Sequence, residues 1–212
     1  MENKEEDNSI KQKINSLTIV LIGYENTGKT TLIDSIIEPK KKLNKYKPTI
    51  GADLKSGIIE TKLNNKKHII KIKFIEVAGQ SRFRSLIKPK LIMKGDIVIF
   101  VYNFNDAKSF DKLRDIYVNC FDYDKKKPLC FLLCNKADIR NNKDEDIDLK
   151  EEVLEFCDEN NLKFLYCTNN LENCSKIIDT PGYKDNNNIF KKILKNKIIP
   201  TYFKEKEMII DE

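Results

Sequence analysis

The sequence predicts an α/β fold in which a six-stranded, mostly parallel sheet contains one antiparallel hairpin and carries helices on both faces. Apolar or alternating runs recur along the 212 residues, and helix-like stretches separate most of them. The polar turn Asn64–Lys67 is too short for a crossover helix, so the runs on either side of it are expected to form the antiparallel hairpin. The predicted strands are Leu17–Ile22, Ser56–Leu63, His68–Val77, Ile97–Tyr102, Leu129–Cys134 and Phe164–Cys167.

Helical periodicity accounts for the stretches between the strands. Asp148 is placed to cap the helix that begins at Leu149. The final stretch, Ile189–Ile199, is basic and amphipathic, so it fits either a last helix docked on the sheet or a helix on a membrane surface. Its position in the alternation favours docking. The predicted helices are Thr30–Ile37, Leu86–Met93, Phe110–Phe121, Leu149–Glu159 and Asn188–Ile198, with a shorter piece at Leu171–Ile178.

The chain is long enough for one domain with extensions, because 40% of its residues are hydrophobic and can bury a substantial core. We expect a mobile charged arm over residues 1–15, the domain over 16–200 and a tail over 201–212. The long polar segment Asn169–Asn188 is expected to be an insertion, either a plain surface loop or a partner-specific surface.

Composition argues against several classes of protein. No run approaches 18 consecutive apolar residues, and the acidic, polar start does not resemble a secretory signal, so we expect a cytoplasmic protein. The six cysteines show no C-x-x-C spacing and the chain has one histidine, which argues for reduced thiols and against a zinc site. The net charge of +6 is spread among many acids without an arginine-rich cluster, so no nucleic-acid partner is expected.

A glycine loop, Gly23–Thr30, follows the first predicted strand and opens the first predicted helix. Gly23 and Gly28 leave room for backbone N–H groups to approach a polyphosphate. Lys29 can reach the β- and γ-phosphates, and the Thr30 hydroxyl can join the oxygen shell of a Mg²⁺ that bridges them. This arrangement of strand, loop and helix predicts a phosphate cradle.

A second motif, Asn135–Asp138, directly follows the fifth predicted strand, at the sheet edge where ligands bind in open α/β folds. The Asp138 carboxylate can accept hydrogen bonds from N1–H and the exocyclic amine of guanine, whereas adenine presents no donor at N1. Asn135 can tie this loop to the phosphate loop, and the Lys136 stem can cover the purine face. The motif therefore predicts selectivity for guanine.

Two further loops are expected to converge on the γ-phosphate. Thr49 lies between the first helix and the second strand, and Glu76–Gln80 ends the third strand. The Thr49 hydroxyl can reach Mg²⁺ and the Gly79 N–H can reach the γ-phosphate only while that phosphate is present, which is the behaviour of a switch. Gln80 is placed to orient an attacking water.

Together these elements resemble the Ras superfamily of small GTPases over about residues 16–200. Tyr46–Asp53 and Arg82–Ile87 look most like Rab proteins, whereas Gly23–Thr31, with an acid and then asparagine before the second glycine, looks more like Arf and Sar proteins. The resemblance implies a P-loop small GTPase fold that binds GTP or GDP with Mg²⁺ and hydrolyses GTP. It implies Lys29 and Gln80 as catalytic residues, Thr30, Thr49 and Glu76 as metal-binding residues, and nucleotide contacts from Gly23, Asn26, Thr27, Gly28, Lys29, Thr30, Thr31, Thr49, Gly79, Asn135, Lys136, Asp138, Cys167 and Thr168.

Several positions depart from the pattern of that family. Glu76 replaces an aspartate at the end of the third strand, and Glu25 stands beside the expected γ-phosphate where Rab and Ras proteins carry a small residue. Cys167–Asn169 replaces the Ser-Ala-Lys loop, and the aromatic that shields the base falls near Lys42 or Leu43. We therefore expect binding with slow hydrolysis, the alternative being a pseudo-GTPase scaffold. A nucleotide kinase is disfavoured because its lid arginines are missing.

The resemblance also implies protein partners: an exchange factor, a GTPase-activating protein that supplies an arginine finger, and effectors in vesicle traffic or related signalling. We expect a monomer. The last cysteine is Cys174 and position 2 is Glu2, so neither prenylation nor myristoylation is expected. Membrane contact is then expected only indirectly, through a partner that recruits a cytoplasmic protein.

Overall fold

The computed structural model describes residues 16–38, 49–63, 66–80, 89–120, 127–136, 145–166 and 189–206. Six strands form one sheet in the order β2-β3-β1-β4-β5-β6, in which only the β2–β3 pair is antiparallel. The predicted fold class is confirmed. The strands are β1 Leu17–Ile22, β2 Ala52–Leu63, β3 Lys66–Val77, β4 Ile97–Asn103, β5 Leu129–Asn135 and β6 Lys163–Tyr166.

The helices are α1 Lys29–Ile37, α2 Pro89–Ile92, α3 Ala107–Val118, α4 Glu145–Asn160, α5 Ile189–Ile193 and α6 Ile199–Glu205, with a π-helical segment, Leu194–Ile198, between the last two. The predicted arm, the tail from residue 207, the piece at Leu171–Ile178 and most of the segment before α2 lie outside the described residues.

The predicted hairpin is present, and both of its strands are longer than their hydrophobic runs. The ladder extends from Ala52 opposite Val77 to Leu63 opposite Lys66. Its added residues include Asp53 and Lys55, which are not hydrophobic but share the backbone hydrogen bonds of the ladder. Pairing with β3 therefore extends β2 beyond the range that its hydrophobicity predicts.

Two apolar layers cover the two faces of the sheet. One layer packs α1, α5, the π-helical segment and α6 against one face, and the other packs α2, α3 and α4 against the opposite face. The central strand β1 is almost entirely buried because it is paired on both edges and covered on both faces. Parallel β1, β3 and β5 bring their carboxyl ends, and the loops that follow them, to one edge.

Helices α3 and α4 both begin earlier than their apolar periodicity predicts. α3 begins at Ala107, where the Ser109 hydroxyl donates to Asp106 O at 2.6 Å and accepts the Asn103 N–H at 2.9 Å. α4 begins at Glu145, one turn before the predicted Leu149. Polar first turns carry no hydrophobic period, so the pattern detected only the later, core-facing turns.

The C-terminal helical region docks on the sheet, which confirms docking as the better of the two interpretations. Phe190, Leu194 and Ile198 are fully or almost fully buried. The helix was predicted to end at Ile198, but it continues as α6 to Glu205 and buries Tyr202 and Phe203. Over the described residues, no helix is both long and apolar enough to span a membrane.

Candidate nucleotide-binding site

The phosphate loop runs from the end of β1 to the start of α1 and packs too closely for side chains at its two glycines. A Cβ on Gly23 would lie 2.1 Å from Val101 O. Gly28 has a φ of 91°, and a Cβ there would lie 2.5 Å from Asn135 Nδ2. Glycine is therefore required at both positions, by space at Gly23 and by both space and conformation at Gly28.

Lys29 carries a buried ammonium at the base of this loop. Its Nζ donates to Gly23 O at 2.9 Å and to Tyr24 O at 2.8 Å. Burial lowers the pKa of Lys29 to about 8, and the nearby carboxylates of Glu76 and Glu25 oppose that shift. Among the described residues, the Gly23 and Tyr24 carbonyls are thus acceptors for this buried positive charge.

Three oxygen-bearing side chains from three different segments meet beside Lys29. The Thr30 hydroxyl donates to Glu76 Oε1 at 2.6 Å, the Thr49 hydroxyl donates to the same oxygen at 3.2 Å, and the two hydroxyl oxygens are 3.3 Å apart. Glu76 is 2% exposed, and its Oε2 has no hydrogen-bond partner among the described residues.

This oxygen cluster fits Mg²⁺, which prefers hard oxygen ligands and retains several waters. The unpartnered Oε2 of Glu76 is the observation that specifically favours a bound cation, because a buried carboxylate oxygen needs a donor or a cation. Within the described ranges, no group of three or more histidine, cysteine, aspartate or glutamate side chains could hold a metal ion. A magnesium site here would therefore consist of two hydroxyls and one carboxylate, completed by phosphate and water oxygens.

The end of β3 packs directly on the phosphate loop. A Cβ on Gly79 would lie 2.3 Å from Glu25 N and 2.6 Å from Tyr24 O. The Ala78 N–H donates to Gly51 O at 2.8 Å, which joins this loop to the segment that carries Thr49. Gln80 follows directly and is half-buried. The two predicted switch segments are thus in contact with each other and with the phosphate loop.

The loop after β5 is tied to the other end of the phosphate loop, as predicted for Asn135. Asn135 Nδ2 donates to Thr27 O at 2.7 Å, and Lys136 Nζ donates to Asn26 O at 2.8 Å. Lys136 has a φ of 62°, and its carbonyl accepts from Asn105 Nδ2 at 3.1 Å.

Thr31 and three later residues complete the set of predicted nucleotide contacts. Thr31 is exposed on α1. The remaining predicted site residues, Asp138, Cys167 and Thr168, lie outside the described residues.

Sequence reasoning missed two contributors to this site. Tyr24 belongs to the predicted loop but had no predicted role. Its ring lies beneath Lys112 of α3, whose Nζ is 3.8 Å from the ring centroid. Asn105, after β4, supports Lys136. No local pattern could have indicated either contact, because 88 residues separate Tyr24 from Lys112 and the fold alone brings them together.

Comparison with known proteins agrees with this geometry. A sequence model described as the Ras family matches residues 18–191. The chain is 36% identical over 97 residues to "GTP-binding protein YPTC5" of Chlamydomonas reinhardtii, which covers 46% of this chain and 44% of the relative. It is 29% identical over 166 residues to a "Probable Rab-related GTPase" of Acanthamoeba polyphaga mimivirus, covering 75% and 72%.

A third relative, "Ypt/Rab-type GTPase ypt71" of Schizosaccharomyces pombe, is 34% identical over 106 residues, which covers 49% of this chain and 47% of the relative. The chain thus spans about half the length of the algal and yeast relatives. The family match, in contrast, extends over most of the chain and includes the phosphate loop, the oxygen cluster and the loop after β5. The chain therefore belongs to the Ras family, and within the small GTPases it is Rab-like.

Proposed function

We propose that this protein is a Rab-like molecular switch that binds GTP and GDP with Mg²⁺ and hydrolyses GTP slowly. One observation carries the proposal: Lys29, the Thr30 and Thr49 hydroxyls and the Glu76 carboxylate converge beside a phosphate loop that is tied to Asn135. The printed names of the relatives, among them "GTP-binding protein", support the same reading.

Each group in the site has a defined task under this proposal. The backbone of Gly23–Thr30 and the Lys29 ammonium bind the phosphates, while Thr30, Thr49 and Glu76 hold Mg²⁺. When bound, the metal neutralises charge on the phosphate oxygens. Asp138 accepts hydrogen bonds from guanine, and Gln80 orients the attacking water.

Switching would follow from the contacts of Thr49 and Gly79. Both lie at the phosphate end of the site, Thr49 against Thr30 and Glu76, and Gly79 against the Tyr24–Glu25 peptide. A γ-phosphate that holds both segments stabilises one conformation, and its loss releases them.

Two carboxylates favour slow hydrolysis. Gly79 packs on the Tyr24–Glu25 peptide, and the Glu25 carboxylate acts to raise the pKa of Lys29, so its negative charge acts on a residue proposed to bind the phosphates. Glu76 reaches the Thr30 and Thr49 hydroxyls directly, whereas a shorter aspartate leaves room for a metal-bound water. The Glu25 charge repels the negative charge of the transition state. The direct Glu76 contacts hinder the cation that would stabilise that charge.

Nucleotide specificity is tested by titration calorimetry with GDP, GTP and ATP in Mg²⁺. We expect binding of both guanine nucleotides and none of ATP. Asp138→Ala is expected to lose guanine affinity by at least tenfold, because a site built to accept two donors then leaves them unpaired. Comparable affinities for ATP and GTP would contradict the proposal.

Hydrolysis is tested in a single turnover with γ-labelled GTP. We expect phosphate release that is slow but faster than in a control without protein, and a further decrease in Gln80→Leu.

The direct hydrogen bonds from both hydroxyls to Glu76 favour a second candidate, a pseudo-GTPase that serves as a binding scaffold. Release equal to the control with Mg²⁺ in excess would establish that candidate instead.

The cellular role is proposed from the family. Rab-like switches act through an exchange factor, a GTPase-activating protein and effectors, and we propose the same classes of partner in vesicle traffic or related signalling. We further propose that the protein is a monomer in the cytoplasm and reaches membranes through such a partner. Sedimentation of the GDP and GTPγS forms tests the monomer, since a concentration-dependent increase in mass would contradict it.

A further inference from the structure

Tyr24 connects the phosphate loop to helix α3. Lys112 Nζ lies 3.8 Å from the centroid of the Tyr24 ring, within the distance at which an ammonium is attracted to an aromatic face. Both side chains are half-buried, so water weakens this attraction less than it would at an exposed site. Helix α3 is itself anchored in the core through Phe110, Leu113 and Ile116.

The backbone of Tyr24 contacts several other groups of the site. Its carbonyl accepts hydrogen bonds from Lys29 Nζ at 2.8 Å and from the Thr27 hydroxyl at 3.0 Å. Gly79 also packs on this peptide, so closely that a Cβ there would lie 2.3 Å from the Tyr24 carbonyl carbon. The position of this one peptide therefore influences both the Lys29 ammonium and the loop after β3.

The two ends of the phosphate loop are held by different elements. Asn135 and Lys136 hold the Asn26–Thr27 end through hydrogen bonds to backbone carbonyls. The Tyr24 end contacts Gly79 and is held from outside by Lys112. A change at Tyr24 should then affect the γ-phosphate side of the site more than the rest of the nucleotide.

We propose that Tyr24 is a positioning residue, clamped by Lys112, that orients the Tyr24–Glu25 peptide for binding of the γ-phosphate. The inference rests on the proposed nucleotide-binding function and adds α3 to the machinery of the site. Tyr24 need not touch the nucleotide, because it acts through its own carbonyl on Lys29 and through its backbone on Gly79.

The test compares the affinities for GTPγS and GDP in a set of matched variants. Tyr24→Leu keeps apolar bulk and loses the aromatic face, Tyr24→Phe keeps the face, and Lys112→Met keeps the stem and loses the charge. We expect Tyr24→Leu and Lys112→Met each to weaken GTPγS binding about fivefold, the scale of one cation–π contact, and GDP binding less than twofold. Tyr24→Phe should stay within twofold of wild type for both nucleotides.

Two further variants complete the design. The double variant Tyr24→Leu/Lys112→Met should be no weaker than either single variant, because both remove the same contact. Lys206→Met makes the same substitution at an ammonium that lies 5.8 Å from the centroid of the Tyr202 ring on α6, and it should leave both affinities unchanged. Equal losses for GTPγS and GDP, additive single losses, or a loss in Tyr24→Phe as large as in Tyr24→Leu would overturn the clamp.

Amide hydrogen exchange separates failure of the clamp from failure of the proposed function. In protein without added nucleotide, residues 23–30 should exchange faster in Tyr24→Leu and Lys112→Met than in wild type or Tyr24→Phe. Equal exchange in all four proteins would overturn the clamp. If wild type binds neither GTPγS nor GDP, the proposed function fails, and the exchange pattern still decides whether Lys112 holds the loop.

Discussion

At the scale of single residues, Glu76 stands where the family pattern has an aspartate, and its side chain is one methylene longer. Its carboxylate is buried at the end of β3 and takes hydrogen bonds from both Thr30 and Thr49 through one oxygen. The second oxygen has no partner among the described residues. Because a buried carboxylate is costly unless it is satisfied, this oxygen marks the place where a cation would stabilise the site.

His68 is a second buried polar residue, and both of its ring nitrogens lack a hydrogen-bond partner within the described part of the chain. It faces the apolar layer beneath the C-terminal helices, next to Ile70 on the same side of β3. We expect His68→Leu to raise the free energy of unfolding by about 1 kcal/mol, because it removes unsatisfied nitrogens at similar volume. Urea denaturation measures this, and a decrease would show that the ring is satisfied in solution.

The buried cysteines predict a clear pH dependence of thiol chemistry. Burial raises the pKa of the Cys120 and Cys130 thiols to about 12. Because the thiolate is the reactive species, neither residue should be alkylated by iodoacetamide at pH 9 in the native protein, although both should react in urea. Peptide mass mapping measures the alkylation.

The same two thiols should make the stability of the fold depend on pH. They ionise near pH 9 in the unfolded chain but only near pH 12 in the folded protein, so the free energy of unfolding should fall as the pH rises from 9 towards 12.

At the scale of elements, the C-terminal helical region is unusual because a π-helical segment interrupts it. The Ile199 N–H bonds to Leu194 O, five residues earlier, and the neighbouring carbonyl of Lys195 accepts from the Thr61 hydroxyl of β2 at 2.8 Å. Thr61 is 4% exposed. A side chain of the sheet thus satisfies a carbonyl in the segment where the α-helical pattern is broken.

Removing this contact should destabilise the fold. Thr61→Val keeps the shape of the side chain but deletes the hydroxyl, which leaves the Lys195 carbonyl without that donor. We expect the free energy of unfolding to fall by about 1–2 kcal/mol. Thr201→Val, the same change on α6, serves as the control and should have less than half that effect. Equal effects in the two variants would contradict a specific role for Thr61.

At the scale of the whole molecule, the candidate site joins segments that are far apart in the chain. Thr49, the end of β3 and the loop after β5 each contact the phosphate loop at one edge of the sheet. A ligand that binds them together should therefore stabilise the entire domain. By mass action, GDP at a hundred times its dissociation constant adds about 2.7 kcal/mol.

We expect saturating GDP with Mg²⁺ to raise the melting temperature by roughly 5–10 °C, the usual scale for a domain of this size. Chelation of Mg²⁺ with EDTA should remove a large part of that increase if the Thr30, Thr49 and Glu76 oxygens hold the cation as proposed. Differential scanning fluorimetry measures both. ADP is the control, and a similar increase with ADP would contradict selectivity for guanine.

Much of this architecture could be predicted from local patterns. The sheet, the hairpin and the docked last helix follow from apolar periods and turn lengths, since these patterns report which faces are buried. The phosphate loop and Asn135 were predicted because backbone access to phosphate and a strand-end position impose residue types at short spacing. Predictions failed at boundaries such as Ala52 and Ala107, where pairing or a polar first turn extends an element without a hydrophobic signal. The last helix also passes its predicted end at Ile198 and reaches Glu205, burying Tyr202 and Phe203.

The sequence by itself determined the family, the fold and the residue types of the candidate site, because these depend on short-range spacing along the chain. Only the tertiary structure decided how Glu76 takes both hydroxyls, how Thr61 meets the π-helical segment and how Lys112 covers Tyr24. These contacts join residues 27 to 134 positions apart, and their geometry depends on side-chain length and packing that no local pattern encodes.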